Sequence, residues 1–333
     1  MKILLTGGAG YIGSHMAQCL LESGINVVIL DNLSNGSRKA IEGIELVVGD
    51  IGDSAVLDRL FSAHKFDGVM HFASLIQVGE SVTNPGAYFD NNIARTVTLL
   101  NKMVEYNIEK FIFSSTAAIF GNPQFLPIAE SHPTQPVNPY GRSKLVIEQL
   151  LEDYHRAYGL NYGCLRYFNA AGAHPTIAIG ECHEPETHLI PLILQVAAGR
   201  RDHIKIFGND YDTADGTCIR DYIHVCDLAD AHLLLFNALK TTYPTAHYNL
   251  GTGTGYSVQE VVATVEKVTN CPVAQKIEPR RAGDPAILIA DGSAAQADLG
   301  WKPKVSDLET IIAHAWQWEQ QYHVHATKNT GSN

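Results

Sequence analysis

A tyrosine and a lysine four residues apart, Tyr140 and Lys144, stand in the segment NPYGRSK. A free phenol has a pKa of about 10, which is too high for a base at neutral pH. A nearby ammonium group favours the phenolate and lowers that pKa. The segment YGRSKLVIEQLLEDYHRAYG predicts a helix, on which residues i and i+4 face the same way. The pair is therefore a candidate base with its tuning cation, although a solvated Tyr–Lys pair is the competing interpretation.

The segment TGGAGYIG follows a predicted strand and opens a predicted helix. Gly8, Gly10 and Gly13 satisfy GxGxxG, and Gly7, Gly10 and Gly13 satisfy the variant with three-residue spacing. Glycines here permit a tight turn and close approach of the backbone to a pyrophosphate, which the free N–H groups of the helix then face. The loop predicts a dinucleotide site; a tight turn without a ligand is the alternative.

Polar groups at the ends of predicted strands extend this site. Asp31 ends the second strand, where a carboxylate accepts from the adenosine ribose and repels a 2′-phosphate, which favours NAD over NADP. Asp50 and Ile51, at the end of the third strand, are placed to border the adenine. A bound nicotinamide takes hydride while the substrate hydroxyl loses a proton, and its positive ring acts together with the Lys144 ammonium to lower the pKa of Tyr140. Thr116, at the end of the SST segment, has a hydroxyl that can relay this proton to Tyr140.

The elements that position these residues alternate along the first half of the chain. Apolar runs predict strands at 2–7, 26–30, 45–50, 68–73, 110–115 and 161–168, and helical patterns lie between them, the first of them capped at Gly24. The alternation predicts an α/β fold, a Rossmann-type doubly wound parallel sheet. After about residue 170 long Gly-, Asp- and His-rich loops begin and predict a smaller mixed α/β substrate-binding lobe. We therefore assign 1–170, with 225–250 returning to it, to an NAD-binding domain, and 171–330 mainly to the substrate.

The composition of the chain disfavours some classes of binding partner. The 333 residues are 45% hydrophobic and 18% charged, with a formal net charge of −11, which disfavours nucleic acid and anionic lipid. No apolar run approaches the roughly 18 residues of a membrane span, and no secretory leader is evident. The cysteines form no CxxC pair, which predicts reduced thiols and a cytoplasmic location; they are Cys19, Cys164, Cys182, Cys218, Cys226 and Cys271.

Taken together, the motifs resemble those of the extended short-chain dehydrogenase/reductases, and within them the nucleotide-sugar 4-epimerases. The resemblance covers nearly all of residues 1–320. It rests on TGGAGYIGSH, DNLSNG, HFASLIQVGESV, DNNI, FIFSSTAAIFG, NPYGRSKL, LRYFNAAGAHP, FGNDYDTADGTCIRDYIHVCDLA, YNLGTG and PRRAGD.

The resemblance implies roles for individual residues. It implies a catalytic group of Thr116, Tyr140 and Lys144. The implied NAD contacts, which include that group, are Gly7, Gly10, Tyr11, Ile12, Gly13, Asp31, Asn32, Leu33, Ser34, Asn35, Gly36, Asp50, Ile51, Phe72, Ala73, Ser74, Asn92 and Phe168. Besides Thr116 and Tyr140, the implied UDP-sugar contacts are Asn169, His188, Leu189, Lys205, Ile206, Phe207, Arg220, Arg281 and Asp284.

The two arginines among these contacts also suit the residue chemistry. A diphosphate in an acidic protein needs local cations, and guanidinium matches phosphate oxygens bidentately. A surface ion pair is the alternative for Arg220 and for Arg281.

The activity that the resemblance implies is reversible, NAD-dependent epimerisation of UDP-galactose and UDP-glucose at carbon 4, through a 4-keto intermediate. The Tyr140 phenolate takes the 4-hydroxyl proton while carbon 4 gives hydride to tightly held NAD. The keto sugar turns, and hydride returns to its opposite face, so that no cofactor is consumed. A homodimer is also implied. The helices after Asn92 and Tyr140 have apolar faces that suit either an intersubunit bundle or burial within one chain.

Four positions depart from the most familiar family pattern. Thr116 stands where Ser is common, and Ile76 stands where some members carry a Lys near the cofactor phosphates. His188 replaces an Asn that contacts the nucleotide sugar, which leaves backbone contacts there. Leu288 lies where some members place a Tyr against the sugar 2-position, and this smaller side chain suggests that N-acetylhexosamine forms are also accepted.

Other functions fit the residues less well. A 4,6-dehydratase needs an acid and a base where this chain has Ala117 and Ala118. A 4-epimerase of UDP-glucuronate or UDP-xylose stays open, and so does a non-catalytic NAD-sensing regulator, although such proteins often lose the Tyr or the Lys. No metal is expected. The loop residues considered for zinc lack a standard ligand spacing; they are His174, Cys182, His183 and His188.

Overall fold

The computed structural model describes residues 1–239, 242–281 and 283–329, with side chains described to residue 321. Its strands are Lys2–Thr6 (β1), Asn26–Asp31 (β2), Glu45–Val48 (β3), Gly68–His71 (β4), Lys110–Thr116 (β5), Asn161–Tyr167 (β6), Asn169–Ala171 (β7), Ile204–Phe207 (β8), Ile219–His224 (β9), Thr245–Leu250 (β10), Gly255–Ser257 (β11), Gln275–Glu278 (β12) and Ile287–Leu288 (β13).

The α-helices are Tyr11–Glu22 (α1), Ser54–Ala63 (α2), Val78–Thr83 (α3), Pro85–Tyr88 (α4), Arg95–Glu105 (α5), Pro139–Tyr158 (α6), Leu189–Ala197 (α7), Val225–Ala238 (α8), Val258–Thr269 (α9), Ser293–Leu299 (α10) and Leu308–Asn329 (α11). Phe89–Ala94, which leads into α5, is a π-helical turn. Among the described helices, none is both long enough and apolar enough to cross a membrane.

A seven-stranded sheet forms the centre of the molecule, in the order β10-β6-β5-β4-β1-β2-β3. Its strands pair in parallel throughout, for example Leu4 with Val28 and with Val69. The first six strands thus have the order 3-2-1-4-5-6 of a doubly wound dinucleotide-binding fold, whose ligand crevice lies beyond the carboxyl ends of the strands where the order reverses. This confirms the predicted fold class and puts the crevice between β1 and β4.

The sheet is covered on both faces because its strands carry apolar side chains on both sides. On one face the core includes Ile3 and Leu5 of β1 together with residues of α1, α8 and α10, and with Trp301. On the other face Leu4 of β1 packs with residues of α2, α5 and α6. The sheet therefore presents the ends of its strands at one rigid edge.

Residues after β6 build a smaller mixed α/β layer beside that edge. Strand β9 pairs in parallel with β7 and β13 and antiparallel with β11. Strands β8 and β12 form a separate parallel pair. Helices α7, α9 and α11 enclose a third apolar core around Ile193, Val262 and Ile311. Two segments return to the large sheet or its cover, since β10 pairs with β6 and Trp301 donates to the carbonyl of Asp227 in α8.

Candidate active site

The turn between β1 and α1 depends on glycine at two points of close approach. Gly7 has φ +72°, and an added Cβ would lie 2.5 Å from the backbone nitrogen of Ala73. At Gly13 a Cβ would lie 2.3 Å from the carbonyl oxygen of Gly7. At Gly10, the N-cap of α1, the nearest described atom is Gly7 O at an ordinary 3.4 Å, and glycine has no side chain to cap the helix. An open helix N-terminus beside a tight turn fits a pyrophosphate.

The carboxylate at the end of β2 fixes the shape of this loop. Asp31 is buried, its Oδ2 accepts from the Ala9 backbone at 2.9 Å, and its Oδ1 accepts from Leu33 N at 2.7 Å. Leu33 itself has φ +58°, in the left-handed region. A carboxylate has about four lone-pair positions, so Asp31 retains capacity for a ribose hydroxyl.

At the next strand end, Asp50 belongs to a small charged network. Arg95 Nη1 lies 2.5 Å from Asp50 Oδ2, and Arg95 Nη2 lies 2.7 Å from Asp90. Asn32 donates to Asp50 Oδ2 at 3.2 Å. The Asp50 carboxylate therefore joins the β2 and β3 ends to α5, and it is shared with an arginine that the motif reasoning did not select.

Three side chains that could handle a proton meet at the end of β5 and the start of α6. Tyr140 and Lys144 lie one turn apart in the first half of α6, which Asn138 caps by accepting from Gly141 N at 2.8 Å. Thr116 ends β5, and its hydroxyl lies beside the Tyr140 phenol. Lys144 is 1% exposed and its Nζ donates to Ser74 Oγ and to the Ser114 carbonyl, both at 2.8 Å.

The pKa values of this group reflect its burial. Burial raises the pKa of Tyr140 above its ordinary value, and the Thr116 hydroxyl lowers it by less. Burial also lowers the pKa of Lys144 to about 7, against the smaller opposing effect of Glu148. The phenol pKa is therefore not lowered by the protein groups alone, and the lowering expected from the lysine together with the nicotinamide ring stays a prediction. Desolvation of both partners weighs more than the lysine charge.

A buried amide connects the loop after β4 to α6. Asn92, which is 2% exposed, accepts from Leu75 N at 2.9 Å and donates to Leu75 O at 3.0 Å. Its Nδ2 also lies 3.1 Å from Ser143 Oγ. Because Ser74, the neighbour of Leu75, is a hydrogen-bond partner of Lys144, this amide helps to fix the position of the lysine.

Arginines lie on the far side of the crevice, in the smaller layer. Arg220 of β9 pairs with Asp284 and donates to the Ile219 carbonyl at 2.8 Å. The Arg281 guanidinium lies 3.9 Å from the centre of the Phe207 ring. These contacts hold both guanidinium groups in place, with further donors available for an anion.

An apolar contact joins the arginine side to the proton-handling side. Leu288 of β13 stands opposite Arg220 in the strand register. The same leucine packs, together with Phe168, against the apolar cluster that contains Ala117, the residue after Thr116. The strand that bears Arg220 therefore adjoins the end of β5 that bears Thr116.

Comparison with known proteins agrees with this arrangement. The NAD dependent epimerase/dehydratase family matches residues 3–251. The chain belongs to this family. Its cofactor is NAD, which the open glycine turn and Asp31 fit.

Individual relatives are similar over almost their whole length. UDP-glucose 4-epimerase of Halalkalibacterium halodurans is 52% identical over 330 residues, which is 99% of each chain. The crystal structure of UDP-glucose 4-epimerase from Brucella ovis in complex with NAD has a TM-score of 0.93 at 46% identity, covering 95% of this chain and 97% of that one. The Bifidobacterium longum enzyme in complex with NAD+ and UDP has a TM-score of 0.92 at 41% identity, covering 96% and 98%.

Some of the residues predicted from the sequence to contact a ligand have side chains that do not face the crevice. Ile51 and Ile206 are buried in apolar cores, at 5% and 1% exposure. The Tyr11 hydroxyl donates to the Gly172 carbonyl at 2.7 Å. The side chains of Ile51 and Ile206 are therefore closed to a ligand, whereas Lys205 is exposed on β8.

His188 also points elsewhere. As the N-cap of α7 it places Nδ1 2.6 Å from Glu181 Oε1 and 3.2 Å from Glu186 Oε1. Of the other residues considered for zinc, His183 joins the same group, whereas Cys182 is exposed and His174 lies 3.8 Å from Glu22.

Sequence reasoning missed several residues that support the site. Besides Arg95, a buried ion pair lies beneath α6, where Arg166 Nη2 approaches Glu148 Oε2 to 2.6 Å and Ser115 donates to Glu148 at 2.5 Å. Glu148 stands one turn after Lys144, so the Tyr–Lys spacing extended by four residues was the available signal. The partner arginine could not be chosen without the pairing of β5 and β6.

Proposed function

We propose that this chain interconverts UDP-galactose and UDP-glucose by NAD-dependent epimerisation at carbon 4. The observation that carries the proposal is the crevice bounded by Thr116, Tyr140 and Lys144 on one side and by Arg220 and Arg281 on the other. Leu288 connects the two sides, because it stands opposite Arg220 and packs in the cluster next to Thr116. Such a crevice suits a sugar that bears a diphosphate at one end and a reacting hydroxyl at the other.

The cofactor supplies, when bound, a nicotinamide ring that accepts and returns one hydride. Residues of this chain bind the substrate and transfer the proton. In the proposed roles, Tyr140 removes the proton of the 4-hydroxyl, Thr116 passes it between the sugar oxygen and the phenol, and the same proton returns to the product hydroxyl. Lys144 fixes the end of β5 and the loop at Ser74, so the cofactor and the phenol keep their relative position.

The arginines serve a separate purpose in this proposal. Arg220 and Arg281 bind the diphosphate throughout the cycle, so the keto sugar can rotate to present its opposite face while the nucleotide remains bound. Retaining the intermediate in this way uses binding energy from the part of the substrate that does not react. We propose further that 1–170 and 225–250 serve the cofactor and that 171–330 mainly serves the UDP-sugar.

A chemical assay tests the proposed activity. Purified protein is incubated with UDP-galactose, without added NAD, and the UDP-glucose formed is measured over time. We expect conversion, its loss in Tyr140→Phe, and its retention in Tyr158→Phe, which alters an exposed phenol at the end of the same helix. No conversion by the unaltered chain, even with NAD supplied, would contradict the proposal and favour UDP-glucuronate, UDP-xylose or a regulatory role.

We also propose a cytoplasmic homodimer. None of the six cysteines, all of which lie in the described part of the chain, forms a disulfide, which supports a reducing compartment. Ile93 lies in the turn before α5, Val97 and Val104 lie on α5, and Leu150 lies on α6; all four are only half-buried, and they offer an apolar surface to a second copy. Sedimentation of the unaltered chain as a dimer, and of Val97→Asp as a monomer, is the expected result. A monomer in both cases would remove the proposal.

A further inference from the structure

Four side chains of the loop between β7 and α7 converge outside the proton-handling group. They are Glu181, His183, Glu186 and His188, and one ligand-type atom from each lies within 4.8 Å of all the others. The two histidines both present Nδ1, and each approaches both carboxylates. The four N···O separations are 2.6 and 3.2 Å for His188, and 3.2 and 3.6 Å for His183.

Three of the four side chains are largely sheltered from solvent, whereas that of His188 is 46% exposed. The side chains of Glu181 and Glu186 are only 7% and 6% exposed. His183 Nδ1 is buried and has no hydrogen-bond partner among the described residues, although Glu181 Oε1 is 3.2 Å away. Its ion pairs with Glu181 and Glu186 are thus poorly aligned as hydrogen bonds, and the ring nitrogen is placed to share a bound cation with both carboxylates.

The separations match the edges of a metal coordination tetrahedron. Protein ligands bind Zn²⁺ through His nitrogen or carboxylate oxygen at about 2.0–2.2 Å. The edge of a regular tetrahedron is about 1.63 times its centre-to-corner distance, so ligand atoms around zinc lie about 3.3–3.6 Å apart. The four observed separations, from 2.6 to 3.6 Å, bracket that edge length, so small rotations of the side chains suffice to admit an ion.

The donor set also suits this ion. Two imidazole nitrogens and two carboxylate oxygens are ligands that zinc accepts, and the two negative charges balance a divalent cation. We propose that Glu181, His183, Glu186 and His188 bind one Zn²⁺ ion. With four protein ligands the site is closed, so the ion acts on structure and takes no part in the proton transfer.

The position of the site indicates what the ion does. It ties residues 181–186 to His188, the N-cap of α7. The His183 ring centre lies 6.5 Å from that of Tyr11, at the start of α1, and Trp318 of α11 donates to the Glu181 carbonyl at 2.9 Å. The zinc thus fastens a long loop between the cofactor helix and the smaller layer.

Metal content tests the proposal without reference to activity. The chain is purified without a polyhistidine tag, depleted of metal, mixed with Zn²⁺, passed over a desalting column and analysed by mass spectrometry for bound zinc. We expect one ion per chain in the unaltered protein and none in the His183→Gln/His188→Gln double variant. A matched control changes His323 and His325, two histidines of the C-terminal segment, to Gln, and should keep the ion.

Co²⁺ gives an independent reading, because a tetrahedral Co²⁺ site absorbs strongly in the visible. That absorption should appear in the unaltered chain and in the C-terminal control, and be absent from the cluster variant. Circular dichroism and retained NAD establish that the cluster variant is folded. The proposal is overturned if the unaltered chain binds no more zinc than the folded cluster variant. It is also overturned if the C-terminal control, and not the cluster variant, loses the zinc.

Discussion

The side-chain nitrogen of Lys144 lies 6.0 Å from the centre of the Tyr140 ring and donates to Ser74 and to the Ser114 carbonyl instead of to the phenol. The phenol has Thr116 beside it. The lysine therefore acts on the tyrosine through space, and its contacts join the end of β5 to the loop after β4. Whether the phenol becomes a useful base then depends on the charge that arrives with the cofactor.

The redox state of the cofactor should set the pKa of Tyr140. Burial holds that pKa above its ordinary value in the protein alone. The oxidised nicotinamide ring is positive and favours the phenolate, whereas the reduced ring is neutral. We expect a lower phenol pKa with NAD+ than with NADH, measured as the ultraviolet phenolate signal of the unaltered chain minus that of Tyr140→Phe. Equal pKa values in the two states would refute this.

The buried lysine should make stability depend on pH. Its pKa is about 7 in the folded protein and 10.5 in the reference state, so between those values the unfolded chain binds a proton that the folded chain does not. The free energy of unfolding of NAD-free protein should then rise with pH above about 7, relative to Lys144→Met, by at most about 1.4 kcal/mol per pH unit. Urea unfolding at several pH values measures the difference, and parallel curves for the two proteins would contradict it.

Two glycines with the same φ of +72° separate backbone strain from close approach. A Cβ at Gly7 would lie 2.5 Å from Ala73 N, whereas at Gly24 it would meet no described atom within 4 Å. Gly24→Ala should cost about 1–2 kcal/mol of stability and leave bound NAD unchanged. Gly7→Ala should lose the cofactor in addition. The measurement is the NAD content of the two purified variants. Equal NAD content would mean that the close approach of Gly7 to Ala73 is unimportant for cofactor binding.

Arg220 should contribute to substrate binding through its planar shape as well as its charge. A hydrogen bond to a charged group contributes about 1.5–3 kcal/mol, so Arg220→Ala should lower kcat/KM for UDP-galactose roughly 10- to 100-fold. Arg220→Lys should recover only part of the lost kcat/KM, because lysine lacks the bidentate geometry. Arg156→Ala, which removes an exposed arginine of α6, is the control. A full recovery in the lysine variant would show that charge alone matters.

The size of the side chain at position 288 should decide whether acetylated sugars react. Leu288 is half-buried beside Phe168, and its difference from the family pattern suggests that N-acetylhexosamine forms are also accepted. Leu288→Tyr should reduce that turnover strongly while UDP-glucose turnover changes little, because an added ring occupies the space of the acetyl group. Undetectable turnover of the acetylated sugar by the unaltered chain would remove this prediction.

Local sequence patterns were sufficient to predict much of the candidate site. Strand, turn and helix follow one another within the first 22 residues, so the glycine loop could be recognised without knowing the rest of the fold. The same holds for Tyr140 and Lys144, which one helix places a turn apart. The assignment of 225–250 to the first domain stays a prediction; within that range, residues 245–250 form β10, which pairs with β6.

Contacts between distant segments could not be read in this way. The Asp50–Arg95 pair and the Asn92 amide depend on how α5 and its π-helical turn pack against the sheet edge. The same holds for the four proposed zinc ligands, because Glu181 and Glu186 approach His183 and His188 only in the folded loop.

The late arrival of β10 has a consequence for synthesis. A ribosome that has made residues 1–170 has produced six of the seven strands, but the outer edge of β6 stays unpaired until residues 245–250 emerge. An open apolar strand edge invites pairing with other chains. During the synthesis of about 75 residues, from 170 to 245, the nascent protein thus carries this unpaired edge. Fragments that end after β6 should aggregate, and a circular permutant that begins with β10 should not.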